Sequence, residues 1–554
     1  MRNPRFSKYW LLICCLILFH LVSNCFWIRR DAGSLGSDVS SHTDIAVSIH
    51  QDLRSTLGSG LPFFSKIKST FNLINNSGPY PFWPRLVHFI AAFTALIPGD
   101  PLFSIRFSNM IYLAILLVCI YLLGKKIESP QAGLISACVV SFYPAVFGIS
   151  RKFSLDFPLM AAVSLIMYCL VNCDYFRDRR YSIFFGLSLG AGMLIKSQCF
   201  LFVILPFVYA VVAGFRRGSW EKPRFLNIFI AMFFAFSISL IWWYKLFTDS
   251  TSAYFIHENF LSRSPNSEFK GGSLMGEMTY YIKAAGLNIS LLFSFMFLAG
   301  TPFFLKNLRR KYYGIILAWL VSPYLFFSLI PTKLDRYIFP SFGAVALVSV
   351  FGWLRAPLRK SIKIVILAVF LGLGFCQFLN FSWKDKDSLN WSHAPTANNH
   401  RLISENISKA IRRYGNGNSK VAIIEEKYFH GDRCIRLSYF LKLSGGIGMI
   451  YLSGRGGAEY FGEPEWLLGH GEHDFLIMFS RGGYQLGMEF PGDFLNKLEG
   501  ENFNPKDYIV IEEQILFPEK LNIFLLMNRN LMVKKEFFRE DSSKYLSTGA
   551  GYGG

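Results

Sequence analysis

Long, uninterrupted apolar runs constrain this chain more than any other feature. They cover Tyr9–Ile28, Ile111–Gly124, Ala132–Ile149, Phe157–Val171, Phe184–Ile195, Cys199–Ala213, Phe225–Tyr244, Leu287–Phe304, Tyr313–Ile330, Ile338–Leu354 and Ile364–Phe378. A helix needs about 20 apolar residues to cross a bilayer core, and flanking residues bring most of these runs near that length. Hydropathy therefore predicts about eleven spans. With 52% hydrophobic and only 17% charged residues, the chain has less charge than the roughly 25% of a soluble protein. The expected class is an α-helical polytopic membrane protein.

The net charge of +20 would point to nucleic acid in a soluble chain, but its placement explains it here, and no nucleic-acid partner is expected. Arg2, Arg5 and Lys8 precede the first run, which ends at Cys25-Phe26-Trp27-Ile28-Arg29-Arg30 without a small-x-small cleavage site, so an uncleaved anchor is expected. If the N-terminus is cytoplasmic, alternate loops carry Lys125/Lys126, Arg177/Arg179/Arg180, Arg216/Arg217/Lys222/Arg224, Lys306/Arg309/Arg310/Lys311 and Arg355/Arg359/Lys360/Lys363 on the inside. The same alternation puts the loops 29–102 and 247–286 and the tail after Phe381 outside the cell (cytoplasmic) membrane.

Bases on the outer side then break the rule. Arg151, Lys152, Lys333 and Arg336 lie in or beside short outer loops, with Lys196 at the outer turn between the fifth and sixth spans. Snorkelling or pairing, for example with Asp335, is one explanation. Convergence on an anionic headgroup is the other, since charge at the membrane edge is costly enough to suggest function.

The tail after Trp383 has mixed composition and predicts a soluble α/β domain over 382–554. Helical spacing occurs at Ile403–Arg413 and Cys434–Leu443, and short strand-like runs at Lys420–Ile424, Asp474–Phe479, Asp507–Ile511 and Ile523–Met527. Gly445-Gly446-Ile447-Gly448 and Gly454-Arg455-Gly456-Gly457 lack the Lys-Ser/Thr of a phosphate loop and read as loop glycines. Nine of the ten cysteines lie in or beside spans, so no disulfide framework or zinc spacing emerges.

Two acidic positions stand near the outer ends of spans. Asp38 and His42 are four residues apart, on one face if that stretch is helical; the carboxylate could take a proton from a hydroxyl or amine, and the imidazole could orient it. A chance loop pair accounts for the same spacing. Asp156 follows Arg151-Lys152-Phe153-Ser154-Leu155 and precedes Phe157-Pro158-Leu159, where a helix cap is the plain structural alternative.

In this order the residues resemble the GT-C glycosyltransferases, in particular the protein O-mannosyltransferases, the aminoarabinose transferases and their bacterial relatives. The resemblance runs through Asp38 and His42 in the first outer loop, Tyr80-Pro81-Phe82-Trp83-Pro84-Arg85-Leu86-Val87-His88, and Arg106-Phe107-Ser108-Asn109. It continues through Ser150-Arg151 to Asp156-Phe157-Pro158-Leu159, Gly192 to Lys196, and Lys333-Leu334-Asp335-Arg336-Tyr337-Ile338-Phe339-Pro340. It covers roughly residues 1–381, and Val39 departs from it where a second acid often stands.

The resemblance implies a GT-C-like membrane domain over 1–381 followed by an extracytoplasmic α/β domain. It implies a sugar donor on a polyprenyl phosphate, a glycan, lipid or protein acceptor, membrane lipids as surroundings, and inversion at the anomeric carbon. Asp38 and Asp156 would be the catalytic carboxylates. His42, Arg151, Lys152, Lys333, Arg336 and Tyr337 would bind substrate, the cations at the leaving phosphate. No cofactor is required by these residues, although a divalent cation is compatible with Asp156. A flippase or transporter of lipid-linked glycans is the rival from another class; it would place charge at mid-span and repeat its halves. A non-catalytic glycan-assembly subunit with a decayed site is a second rival, which Val39 keeps open.

Overall fold

In this computed structural model the described residues are 8–31, 37–60, 83–216, 222–244, 267–269 and 274–384, the five strands given below, and isolated positions at 62, 65, 395 and within 406–413. The apolar runs form helices. The chain starts with α1 (Lys8–Arg30), α2 (Ser37–Gly58), α3 (Leu86–Thr94), α4 (Pro101–Phe107) and α5 (Asn109–Ile127). It continues through α6 (Pro130–Ser141), α7 (Pro144–Ile149), α8 (Asp156–Asn172), α9 (Arg179–Met193), α10 (Cys199–Arg216) and α11 (Lys222–Trp243). Then follow α12 (Leu274–Lys306), α13 (Tyr313–Leu329), a 3-10 helix at Asp335–Ser341, α14 (Phe342–Arg355) and α15 (Lys360–Trp383).

Local chemistry sets the helix starts. Asp100 caps the Leu102 N–H at 3.0 Å ahead of Pro101, Ser129 caps Ala132 at 3.1 Å ahead of Pro130, and Asp178 caps Tyr181 at 3.0 Å. Packing uses glycine where backbones touch. A Cβ on Gly124 would lie 2.5 Å from the Gly133 Cα between α5 and α6, and one on Gly352 would lie 2.0 Å from the Gly300 carbonyl oxygen between α14 and α12.

Seven helices among the described residues are long and apolar enough to cross a membrane, and Pro130–Ser141, Asp156–Asn172 and Tyr313–Leu329 are shorter apolar helices. The difference from about eleven expected spans is one of length: at about 1.5 Å rise per residue, a helix of 17 residues falls short of a hydrocarbon core. Large apolar side chains stay exposed on α11 (Phe229, Phe233, Phe236) and α12 (Leu291, Phe295, Leu298), as they do when lipid is the solvent. The chain is a multi-pass membrane protein.

At the end of α8 away from Asp156, Asp174, Tyr175 and Phe176 all have left-handed backbones, at φ 48°, 57° and 63°. Such a run is costly outside glycine and is held by specific contacts. Lys311 Nζ and the Tyr312 hydroxyl each reach Asp174 Oδ1 at 2.8 Å, Tyr312 stacks on Tyr175, and Asn227 donates to the Phe176 carbonyl at 2.9 Å. Nearby, Glu128 accepts from Arg355 and the Tyr313 hydroxyl and forms an ion pair with Arg310. Three of the expected inner-loop bases, Arg310, Lys311 and Arg355, thus fix loops.

The chain divides into two compact units, one of residues Met1–Asp31 and Ile45–Pro395, the other of Ala32–Asp44 and Thr396–Gly554. The second contains a five-stranded sheet in the order β2-β1-β3-β5-β4, with β1 (Ser419–Glu425), β2 (Ile447–Ser453), β3 (Phe475–Ser480), β4 (Tyr508–Leu516) and β5 (Leu521–Asn528). Strand β1 is parallel to both β2 and β3, and β5 is antiparallel to β3 and β4. Four strands coincide with expected ones. The fifth, β2, was not expected: its first residues lie in Gly445-Gly446-Ile447-Gly448, read as loop. Cys434–Leu443 and Gly454–Gly457 lie outside the described residues.

Candidate functional site

The turn between α7 and α8 delivers Asp156. It is the first residue of α8, and Leu155, not Asp156, holds the cap position without a side-chain hydrogen bond. The helix dipole favours a carboxylate there, but the oxygens are used elsewhere. Lys196 Nζ lies 2.6 Å from Asp156 Oδ1, and Arg336 Nε lies 3.5 Å from Oδ2.

Three separate elements therefore meet. Lys196 follows α9, Arg336 belongs to the 3-10 helix, and Asp156 opens α8. The carboxylate is buried while the Lys196 and Arg336 side chains retain 21% and 16% of their exposure. One buried carboxylate thus pairs with two partly exposed cations, and Arg336 also acts on Glu268 through charge. Lys196 Nζ also stands 5.3 Å above the ring of buried Tyr337, so an aromatic wall adjoins the cations.

Arg336 is held in a well-tied turn. Lys333, two residues before Asp335, is fully buried, and its ammonium donates to the carbonyls of Phe327 (3.0 Å), Ser328 (2.9 Å) and Ile330 at the end of α13. Its backbone N–H donates to Ser267 Oγ at 3.0 Å and its carbonyl accepts from the Glu268 N–H at 2.8 Å. Glu268 Oε2 in turn accepts from the Asp335 N–H at 3.2 Å and from the Tyr280 hydroxyl, and Asn288 donates to Asp335 Oδ2 at 3.1 Å. Burial beside Asp335 pushes the Glu268 carboxyl above its usual range.

Arg151 lies elsewhere. It has no exposure, donates to Asn24 Oδ1 at 2.8 Å and Ser382 Oγ at 2.9 Å, and is surrounded by Trp27, Phe147 and Phe378 at 5.1–5.5 Å. Its carbonyl accepts from Arg106 Nε at 3.1 Å, and Arg106 pairs with buried Asp31 at 2.8 Å. The guanidinium thus fastens the α7–α8 turn to α1 and α15. The Lys152 carbonyl accepts from Asn109 at 2.7 Å, and burial lowers the Lys152 ammonium to about 8, with Asp31 opposing and Arg106 adding to the shift.

Asp38 and His42 stand one turn apart in α2. His42 is buried; the Asp38 side chain lies outside the described residues, as does Tyr80-Pro81-Phe82. Among the described residues no group of three or more His, Cys, Asp and Glu side chains is gathered in the way a metal ion would require. Of the sequence candidates, Asp156, Arg336 and Tyr337 come together with Lys196, which the sequence offers as a base on the outer side and as the end of the Gly192–Lys196 stretch. The sequence offers no sign of Ser267, Glu268, Tyr280 or Asn288, whose tie to the Lys333 turn depends on chain reversal.

Residues 83–243 match the family described as dolichyl-phosphate-mannose-protein mannosyltransferase, and the fold resembles that of a solved membrane protein. It superposes on ArnT from Cupriavidus metallidurans bound to undecaprenyl phosphate with a TM-score of 0.60 at 12% identity, covering 95% of this chain and 99% of that one.

Two curated relatives carry the name undecaprenyl phosphate-alpha-4-amino-4-deoxy-L-arabinose arabinosyl transferase. One, from Pseudomonas fluorescens, is 27% identical over 45% of this chain and 46% of its own length. The other, from Proteus mirabilis, is 23% identical over 48% of each. The chain thus spans about half the length of the curated relatives it matches.

Proposed function

We propose that this protein is a membrane glycosyltransferase that transfers a sugar from a polyprenyl-phosphate carrier to a glycan, lipid or protein acceptor at the extracytoplasmic face, with inversion. The observation that carries this reading is the meeting of Lys196 and Arg336 on Asp156. Two partly exposed cations beside one buried carboxylate suit a phosphate that arrives from the membrane and leaves carrying negative charge. The fold shared with a protein bound to undecaprenyl phosphate supports the same donor class.

In this reaction an acceptor hydroxyl or amine attacks the anomeric carbon, the bond from that carbon to the phosphate oxygen breaks, and polyprenyl phosphate departs. Asp38 is the base that takes the acceptor's proton, with His42 orienting it. Asp156 holds Lys196 and Arg336 in register and is the carboxylate a divalent cation would use. Tyr337 walls the donor site. The proposed setting has about eleven spans, a cytoplasmic N-terminus, a membrane domain over 1–381 and an extracytoplasmic α/β domain over 382–554.

The test is sugar transfer by purified protein in lipid from a panel of polyprenyl-phosphate donors. Wild type should transfer from at least one of them. Asp38→Asn should lose about 10²–10⁴-fold in rate at equal folded amount. Activity retained by Asp38→Asn would remove that residue from the mechanism, and an inactive wild type across all donors would favour a transporter or an assembly subunit.

A further inference from the structure

We infer that Lys333 is a positioning residue and not a ligand of the donor phosphate: it acts on the phosphate through Arg336. This rests on the proposed donor site at Asp156. An ammonium has three N–H donors, and those of Lys333 meet three carbonyls, of Phe327, Ser328 and Ile330, at the end of α13. These are carbonyls that a helix C-terminus leaves without partners, and a cation there also complements the helix dipole. The residue is fully buried, with the Tyr281 ring 5.9 Å from Nζ. Turning it toward a phosphate would strip three buried carbonyls of a donor.

What the clamp controls is the direction of the chain. It ends α13 and starts the turn whose next residues enter the 3-10 helix, where Arg336 reaches Asp156. The same turn is fastened from its other side by Ser267 Oγ on the Lys333 N–H and by the Glu268 N–H on the Lys333 carbonyl. Arg336 is thus aimed by a turn held from two directions, and the buried lysine supplies one of them.

A double-mutant cycle separates aiming from binding, because residues that act through one contact lose affinity non-additively whereas independent ligands add. The readout is the dissociation constant of undecaprenyl phosphate for the full chain in nanodiscs. Arg336→Ala should weaken binding by about 10-fold or more, as loss of a charge-assisted hydrogen bond does. Lys333→Met should weaken it in the wild-type background but add no further loss in the Arg336→Ala background. Losses that multiply would make Lys333 a separate phosphate ligand and overturn the inference.

Should Lys333→Met not fold, Ser267→Ala frees the same turn without changing any charge. Weaker binding that disappears in the Arg336→Ala background supports the inference, and unchanged binding contradicts it. A wild type that does not bind undecaprenyl phosphate, or an Arg336→Ala protein that binds it equally well, overturns the donor site itself and this inference with it.

Discussion

Asp156 occupies a position where many helices carry an acid for no reason beyond the dipole. Its partners separate it from those cases, since neither oxygen caps the helix and the carboxylate is shared by Lys196 and Arg336. A donor phosphate must compete with this carboxylate for the same cations, which gives a signed prediction. Asp156→Asn should bind undecaprenyl phosphate more tightly, by up to about fivefold if the partly exposed pair is worth about 1 kcal/mol. The same variant should transfer sugar at least about tenfold more slowly, because the cations lose their register. Paired measurements of affinity and turnover check it; weaker binding would mean that Asp156 helps to hold the phosphate.

Residues of one kind were not equally legible. Charge and loop position made Arg151, Lys333 and Arg336 alike in sequence, yet Arg151 is enclosed by three aromatic rings and Lys333 ends a helix. Sequence reports where a cation lies along the chain. Which way it turns depends on the tertiary partners that complete its hydrogen bonds.

At the scale of elements, hydropathy located the helices because the apolar runs and the helices have the same cause, burial in lipid. It did not resolve how they are interrupted. Ala132–Ile149 reads as one span but is divided into α6 and α7, with Pro144 in the first turn of α7, a place proline favours. Pro206, Pro302 and Pro323 instead lie inside helices, so proline alone could not mark the break. Ser290, at φ 76°, interrupts α12 with no proline beside it. Strand β2 was hidden because its apolar stretch begins within glycines that read as loop.

For the whole molecule, the distribution of basic residues implies an orientation. Reporter fusions at Lys222 and at Gly415 should give opposite-side signals, cytoplasmic for the first and extracytoplasmic for the second, because segregated Lys and Arg set the topology. Signals from the same side would contradict the eleven-span map and remove the extracytoplasmic setting of the reaction.

On the proposed function, Lys196 and Arg336 receive the carrier's phosphate. This is tested most directly by an experimental structure of the full chain in nanodiscs with undecaprenyl phosphate bound. The phosphate should lie within hydrogen-bond reach of Lys196 Nζ and the Arg336 guanidinium, beside the Tyr337 ring, with Lys333 still on the carbonyls that end α13. A phosphate bound at another place on the chain, with Lys196 and Arg336 still closed on Asp156, would contradict it.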